Sequence, residues 1–320
     1  MKVSVLVPVY NAERYLGECL ESILVQDFTD FEIIISDDAS TDNSGNIIKR
    51  YAARDSRIRW WKNPRNMGEA DNSNLCLKAA IGEYIKMVHA DDLLLSPFAI
   101  RKMVAAMEAY PGASLAGCFQ HCTPTDVEFC FEPRVLSERI QCFNGREMIV
   151  QCLEEDANLI GNPSQTIFKR SQAQRGFDDR FRLKVDYEMW FHLLEQGDYV
   201  HLPEALATWR LHSTQQTTLA RGTEPPSGLL LVQTYYEKAW LQEAATPRML
   251  FVQSRSLRKG YGSQAAALVR KMQSSLSPAH FLELSLERKR GTILRWMRKM
   301  AGRFELRLPG LTTMRNIQKG

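Results

Sequence analysis

The chain has 320 residues, 44% of them hydrophobic and 24% charged, the balance of a soluble globular protein with room for one large domain or two smaller ones. No apolar run approaches the roughly 20 residues that span a bilayer, Met1-Lys2-Val3 leads straight into a strand without a signal-peptide layout, and seven cysteines without paired spacing point to a reducing cytoplasm rather than a disulfide framework. The net charge of +4 belongs to the tail, because Arg288 to Gly320 holds ten Lys or Arg and one acid, Glu305, whereas the body before it holds 31 basic and 36 acidic side chains.

Val3 to Val9 reads as a short apolar strand with Tyr10-Asn11 turning out of it, and Glu13 to Gln26 places Tyr15, Leu16, Cys19, Leu20, Ile23 and Leu24 at helical spacing. Phe31 to Ser36 is a second strand, β-branched and ending in Asp37 and Asp38, and Asp42 stands where it caps a helix over 43–54. Ile58 to Trp61 gives a third strand, Asn66-Met67-Gly68 a turn, Asn72 to Ala80 a helix, and Tyr84 to Val88 a buried fourth strand. This β-α-β-α-β-α-β series is the pattern of a nucleotide-binding parallel sheet, whose right-handed crossovers bring the acids that follow its strands to one edge.

At that edge, Val88-His89-Ala90-Asp91-Asp92 ends the fourth strand, ahead of a helix over 97–109. Adjacent carboxylates repel unless a cation or a donor-rich ligand neutralises them, so Mg²⁺ or Mn²⁺ carrying a diphosphate fits this loop. A plainer role, shaping the loop and capping the next helix, carries equal weight on these residues alone. Tyr10-Asn11-Ala12-Glu13-Arg14 has neither the G-x-G-x-x-G of a dinucleotide dehydrogenase nor a P-loop. Carboxylates and a metal, not a glycine cradle, are therefore expected to hold a nucleotide.

Further on, Leu115 to Cys122 reads as a strand, Gly145 to Leu153 as a helix, and Asn162 to Arg170 as a turn entering another strand. Phe181, Met189, Trp190, Leu193 and Leu194 define a helix with Asp186 in its first turn, a position that the helix amino end favours for any carboxylate. Tyr199 to Leu202 and Ala205 to Leu211 read as closing strands. The composition changes beyond Arg221, which divides 1–222 from a helical, basic extension over 223–320. In that extension Ile293, Met297, Met300 and Phe304 recur at helical spacing among Arg295, Arg298, Lys299 and Arg303, which suits a helix lying on an anionic membrane surface or a solvated basic tail. Nucleic acid is not an expected partner, because the body is acidic and no recognised module accompanies the tail.

Several of these stretches, in this order, resemble the inverting glycosyltransferases of family 2: Val7 to Asn11, Ser22 to Gln26, Phe31 to Ser44, Asn66-Met67-Gly68, Ala80 to Tyr84 and His89-Ala90-Asp91-Asp92. The resemblance implies an α/β GT-A fold, a Rossmann-like mixed and mostly parallel sheet flanked by helices. It implies a donor site in which Pro8, Tyr10 and Asn11 flank the nucleotide base, Asp38 accepts hydrogen bonds from uracil or ribose, and Asn66 and Gly68 complete the wall. Asp91 would hold the metal and diphosphate with Asp92 beside it, and Arg210 and His212, in a stretch similar to the family's Arg-x-His, would contact the diphosphate or metal. The run from Phe177 to Trp190 resembles the stretch that carries the family's general base, which implies that role for Asp186. Apart from the resemblance, the segment from Thr123 to Arg139 is read as an acceptor-side loop. Three positions depart from the family pattern: His89 replaces an acid, Asn72-Ser73-Asn74 replaces Ala-Arg-Asn, and Val185 replaces a glutamate.

The function so implied is a metal-dependent inverting transfer from a nucleotide sugar, foremost a UDP-sugar, to a hydroxyl of a glycan or lipid-linked oligosaccharide on the cytoplasmic face of the membrane. Two alternatives remain open on the sequence. A sugar-phosphate nucleotidyltransferase also wants a nucleotide sheet and Mg²⁺, though it calls for a Gly-rich basic loop after the first strand. A catalytically inactive nucleotide-sugar or glycan-binding protein would tolerate His89, Ser73 and Val185.

Overall fold

Strands β1 (Val3–Val9) and β2 (Phe31–Asp37) are buried along their whole length except at Pro8. Such continuous apolar runs need cover on both faces, and crossover helices supply it. In the computed structural model, which describes residues 1–127, 136–215 and 227–286, α1 (Leu16–Leu24), α2 (Ser44–Ala52) and α3 (Glu69–Ala79) connect β1, β2, β3 (Ile58–Lys62) and β4 (Tyr84–Met87). These four strands are parallel, with Val3 opposite both Phe31 and Tyr84 and Ile33 opposite Ile58.

The second half extends the sheet in mixed directions. With β6 (Ala113–Cys118), β8 (Gln141–Phe143), β9 (Thr166–Lys169) and β10 (Asp198–Leu202), the strand order is β3-β2-β1-β4-β9-β6-β10-β8. Strand β9 runs antiparallel to both β4 and β6. Its start therefore lies beside the end of β4, which brings the turn over Pro163–Gln165 against the loop that carries Asp91. A second sheet of β5 (Leu93–Leu94), β11 (Ala207–Leu211) and β7 (His121–Pro124) closes over this edge.

Two elements differ from the sequence expectation through tertiary bonds. The first helix begins at Leu16 rather than Glu13, because the N–H groups of Asn11, Ala12 and Glu13 donate to Ser40 Oγ, Ser44 Oγ and Asp42 Oδ2 at 2.9–3.0 Å. Asp42 thus staples two loops as well as accepting from Ser44 N–H at 3.0 Å. The strand expected over Leu115 to Cys122 divides in two, since β7 leaves the main sheet to pair with β11. Cys19, Cys76, Cys118, Cys142 and Cys152 are free thiols as expected. Cys122 is disulfide-bonded, contrary to the expectation of reduced cysteines throughout.

Helices α4 (Ala99–Ala109), α5 (Gly145–Glu155) and α6 (Val185–Leu194) follow the expected apolar patterns. Helix α6 is buried on nearly every side, the mark of a helix covered all round. The sheet covers one side, α5 and α7 (Ser227–Tyr236) pack beside it and α8 (Ala239–Ala244) meets its end near Glu195, while α9 (Pro247–Tyr261) packs on α5 and α10 (Ala266–Ser274) on α9, so that Leu231, Tyr235, Met249 and Leu250 share one core with Phe168, Trp190 and Phe191. Tyr235 meets Phe191 edge-on with ring centroids 5.1 Å apart, and Trp190 Nε1 donates to the Gly161 carbonyl at 2.9 Å. Both contacts hold the helix that presents Asp186. Among the described residues no helix is long and apolar enough to cross a membrane. The expected boundary at residue 222 and the basic segment from Arg288 onward lie outside the described residues, as does part of the segment 123–139.

Candidate active site

A cleft of about 1270 Å³ opens at the carboxyl edge of the parallel strands. Of the site residues named from sequence, Pro8, Tyr10, Asn11, Asp38, Asn66, Gly68, Asp91, Asp186 and His212 line it. Asp92 does not.

On the nucleotide side, the turn out of β1 is tied to the turn out of β2. Asn11 adopts a left-handed backbone (φ 47), which asparagine tolerates, and its Oδ1 accepts from Thr41 N–H at 2.8 Å. Asp38 organises the next loop, its Oδ1 accepting from Asn63 Nδ2 and Met67 N–H, both at 2.8 Å, and its Oδ2 from Gly68 N–H at 2.9 Å. Gly68 sits at φ 89, where a side chain would strain the backbone, and Asn66 Oδ1 also accepts from its N–H at 3.0 Å. Asp38 is only 2% exposed and its oxygens serve three protein donors. It therefore shapes the wall of the cleft through the 63–68 loop.

At the end of β4, the two adjacent acids part company. Asp91 faces the cleft, where its Oδ2 lies 3.0 Å from His212 Nε2. Burial pushes its carboxyl up, but the His212 hydrogen bond and the charges of His89 and His212 together outweigh it and hold the group below the ordinary carboxylate range. Asp92 points inward with no exposed surface; its Oδ1 accepts from Arg210 N–H at 3.0 Å and its Oδ2 from Asn162 Nδ2 at 3.4 Å. Burial and then the Asp91 charge raise its carboxyl. The sequence paired the two acids in one role, whereas Asp92 ties the loop to β11 and to the 162–165 turn.

His212 is 5% exposed, with Nδ1 2.9 Å from Thr214 Oγ1 and its ring 4.6 Å from that of Tyr15. Arg210 departs from the expectation that set it beside the diphosphate. Its guanidinium is buried away from the cleft, donating to the Asp91 carbonyl, to the Glu18 carboxylate and, at 3.1 Å, to the Tyr15 carbonyl. An arginine that clamps two carbonyls is a brace for the Asp91 loop.

Also lining the cleft, Asp186 occupies the first turn of α6, where its Oδ1 accepts from Tyr187 N–H at 2.7 Å. Burial raises its carboxyl above the usual range, against the lowering effects of that hydrogen bond and of the His89 and Lys184 charges. Two participants escaped sequence reasoning. Glu69, the first residue of α3, lines the cleft with its carboxyl raised by burial, and its only signal was an acid following a glycine turn. Lys86, counted within an apolar strand, is fully buried and its Nζ donates to the carbonyls of Met87 and Ser164, bracing β4 against the 163–165 turn.

As to a metal, ligand atoms of His89, Asp91 and Asp92 all lie within 4.8 Å of one another. One imidazole with two carboxylates is a donor set that divalent ions accept.

Residues 4–155 match the family model described as glycosyl transferase family 2. The chain is 44% identical over 92 residues to the glycosyltransferase GlyG of Streptococcus pneumoniae, a match covering 29% of this chain and 31% of that protein. It is 35% identical over 222 residues to the uncharacterized glycosyltransferase EpsJ of Bacillus subtilis, covering 68% of this chain and 63% of that one. The chain thus matches less than two thirds of either relative's length. Its fold superposes with a TM-score of 0.59 on the crystal structure of S. aureus TarS 1-349 in complex with UDP-GlcNAc, at 17% identity, covering 91% of this chain and 92% of that one. The shared architecture is the GT-A fold.

Proposed function

The chain belongs to glycosyl transferase family 2, and from that premise we propose that it transfers a sugar, with inversion, from a UDP-sugar to a hydroxyl of a glycan or lipid-linked oligosaccharide. One observation carries this: Asp38, Asp91 and Asp186, from three distant segments, line a single cleft. The turn at Tyr10 to Ala12, held by hydrogen bonds to Ser40 and Ser44, lacks in its sequence the glycine-rich basic loop of a nucleotidyltransferase, which favours the transferase reading.

In this reading the Pro8 to Asn11 turn and the loop organised by Asp38 receive the nucleoside, and Asp91, oriented by His212, faces the diphosphate. Mg²⁺ or Mn²⁺ held by Asp91 and its neighbours would neutralise the charge that grows on the departing nucleoside diphosphate. Asp186 takes the proton of the acceptor hydroxyl as that oxygen forms its bond to the anomeric carbon. The bond from that carbon to the diphosphate oxygen breaks on the opposite side, its electron pair leaving with the diphosphate. A single base suffices for inversion, with the cleft walls holding the two substrates in line.

The test is release of nucleoside diphosphate from a panel of nucleotide sugars with Mn²⁺. UDP is expected to be released ahead of GDP or dTDP, and EDTA is expected to stop it. Binding without release from any donor would mark a nucleotide-sugar-binding protein instead.

The basic segment from Arg288 onward supports attachment to the cytoplasmic face of an anionic membrane, since each Lys or Arg near such a surface contributes about 1 kcal/mol. The full chain should then co-sediment with anionic vesicles at low salt and remain in solution after Arg295, Arg298, Lys299 and Arg303 are all changed to Glu. Equal sedimentation of the two proteins would discard the membrane role.

A further inference from the structure

We infer that Glu69 reads the sugar to be transferred: its two carboxylate oxygens accept from adjacent hydroxyls, so the donor carries a hexose that keeps those hydroxyls and not a deoxy sugar. This rests on the transfer reading above and adds to it the residue that selects the sugar.

Glu69 is the first residue of α3, and the backbone around it is fixed from several sides. Gly68 N–H donates to Asp38 Oδ2 at 2.9 Å, Asn72 N–H to the Gly68 carbonyl at 2.9 Å, and Asn72 Nδ2 to the Ser36 carbonyl at 3.1 Å. The loop that walls the nucleoside side of the cleft therefore also sets where this carboxylate stands.

Its neighbours define its place in the cleft. His89 Nε2 lies 3.8 Å from Oε1, and the charges of Asp186 and Asp91 act on the same carboxyl. In an inverting transfer the sugar lies between the departing diphosphate, which faces Asp91, and the base, Asp186. A carboxylate next to both borders that gap.

The other acids there are committed to the protein. Asp38 serves three donors, Asp92 accepts from Arg210 N–H and Asn162 Nδ2, and Asp91 lies against His212. Val185, beside the base, is apolar and offers a sugar no polar side-chain atom. Glu69 keeps 31% of its side chain exposed in the cleft, and no donor stands within hydrogen-bonding length of its oxygens among the described residues, His89 being too far. Such a group loses its water when a donor fills the cleft and must recover hydrogen bonds from the ligand. Two adjacent hydroxyls match its two oxygens. An acid in a first turn also steadies the amino end of its helix; that role alone would make its removal weaken UDP and a UDP-sugar equally.

The test is calorimetric titration of the full chain, with Mn²⁺ present, by UDP and by UDP-glucose or UDP-galactose, whichever binds more tightly, together with the deoxy analogues of that hexose. Glu69→Ala is expected to raise the Kd for the UDP-hexose about tenfold or more, the scale of a hydrogen bond to a charged group, and to leave the Kd for UDP unchanged. At least one deoxy analogue should bind the unaltered protein more weakly than the hexose, and that penalty should vanish in Glu69→Ala, because hydroxyl and carboxylate form one interaction. Glu69→Gln, which keeps one acceptor oxygen, should fall between the two. Equal weakening of UDP and UDP-hexose overturns the assignment, as do an unchanged Kd for the hexose, a deoxy penalty that persists in both variants, or failure of both UDP-hexoses to bind where UDP binds. UDP release from a UDP-hexose with no sugar-dependent loss in Glu69→Ala would leave the proposed function standing and this inference refuted; a sugar-dependent loss in a protein that releases no UDP would do the reverse.

Discussion

Replacing Asp186 with Asn is expected to lower kcat by about 10²- to 10⁴-fold, the usual contribution of a general base, while nucleotide-sugar affinity stays unchanged. The substitution is nearly isosteric, and the amide oxygen can still accept the Tyr187 N–H that now bonds Asp186 at 2.7 Å. What it loses is the capacity to take a proton. The elements that receive the donor, at Pro8 to Asn11, Asp38 and Asp91, belong to other segments of the chain, so binding is spared. The pH profile provides a second readout. Burial raises the Asp186 carboxyl above the ordinary range against the opposing hydrogen bond and charges, and only the ionised form works as a base. Activity of the unaltered enzyme should therefore fall as pH drops through that raised value, with the acid limb of kcat/KM above the usual carboxylate range, and the limb should vanish in the residual activity of the Asn variant. A variant with undiminished kcat would remove Asp186 from the mechanism.

Replacing Arg175 with Met is expected to cost about 3 kcal/mol of stability, the lower end of the range for stripping a buried charge of its partner. The partner is Glu188 on α6, only 2% exposed, which receives Nη1 of Arg175 on Oε1 at 2.7 Å and Nη2 on Oε2 at 2.5 Å. The lower end applies because the Arg175 side chain is 38% exposed, so water screens part of the pair. Urea titration should show a lower midpoint with an unchanged slope. Changing Glu188 to Leu in the same chain should restore most of the loss, since an apolar pair of similar volume leaves no buried charge behind. Loosening of α6 should also reduce kcat, because that helix carries Asp186. An unaltered midpoint in the single variant would show that Glu188 finds another partner.

The acids at strand ends were legible before any coordinates. Once Val3 to Val9, Phe31 to Ser36 and Tyr84 to Val88 are read as parallel strands, the handedness of their crossovers sends Asp38 and Asp91 to one edge. Asp186 was legible as the first-turn acid of a helix whose apolar residues face a core. Less legible was the direction of each side chain. Asp91 and Asp92 are neighbours, yet one faces the cleft and the other an arginine N–H from a strand far along the chain. Arg210 looked like a phosphate ligand and is a brace, because its partners Glu18 and Tyr15 belong to the first helix and its N-cap. Glu69 and Lys86 had no pattern to mark them, since a helix-start acid and a lysine within an apolar strand each acquire meaning only from what packs against them.

By itself, then, the order of apolar runs, turns and terminal acids determined the layered α/β architecture and the edge at which chemistry gathers, since backbone path follows from local periodicity. Tertiary structure alone decided which imidazole lies against Asp91, which carboxylate faces the cleft, and whether each is raised or lowered. Those properties depend on hydrogen bonds and desolvation contributed by residues remote in sequence, and such contacts leave no trace in local spacing.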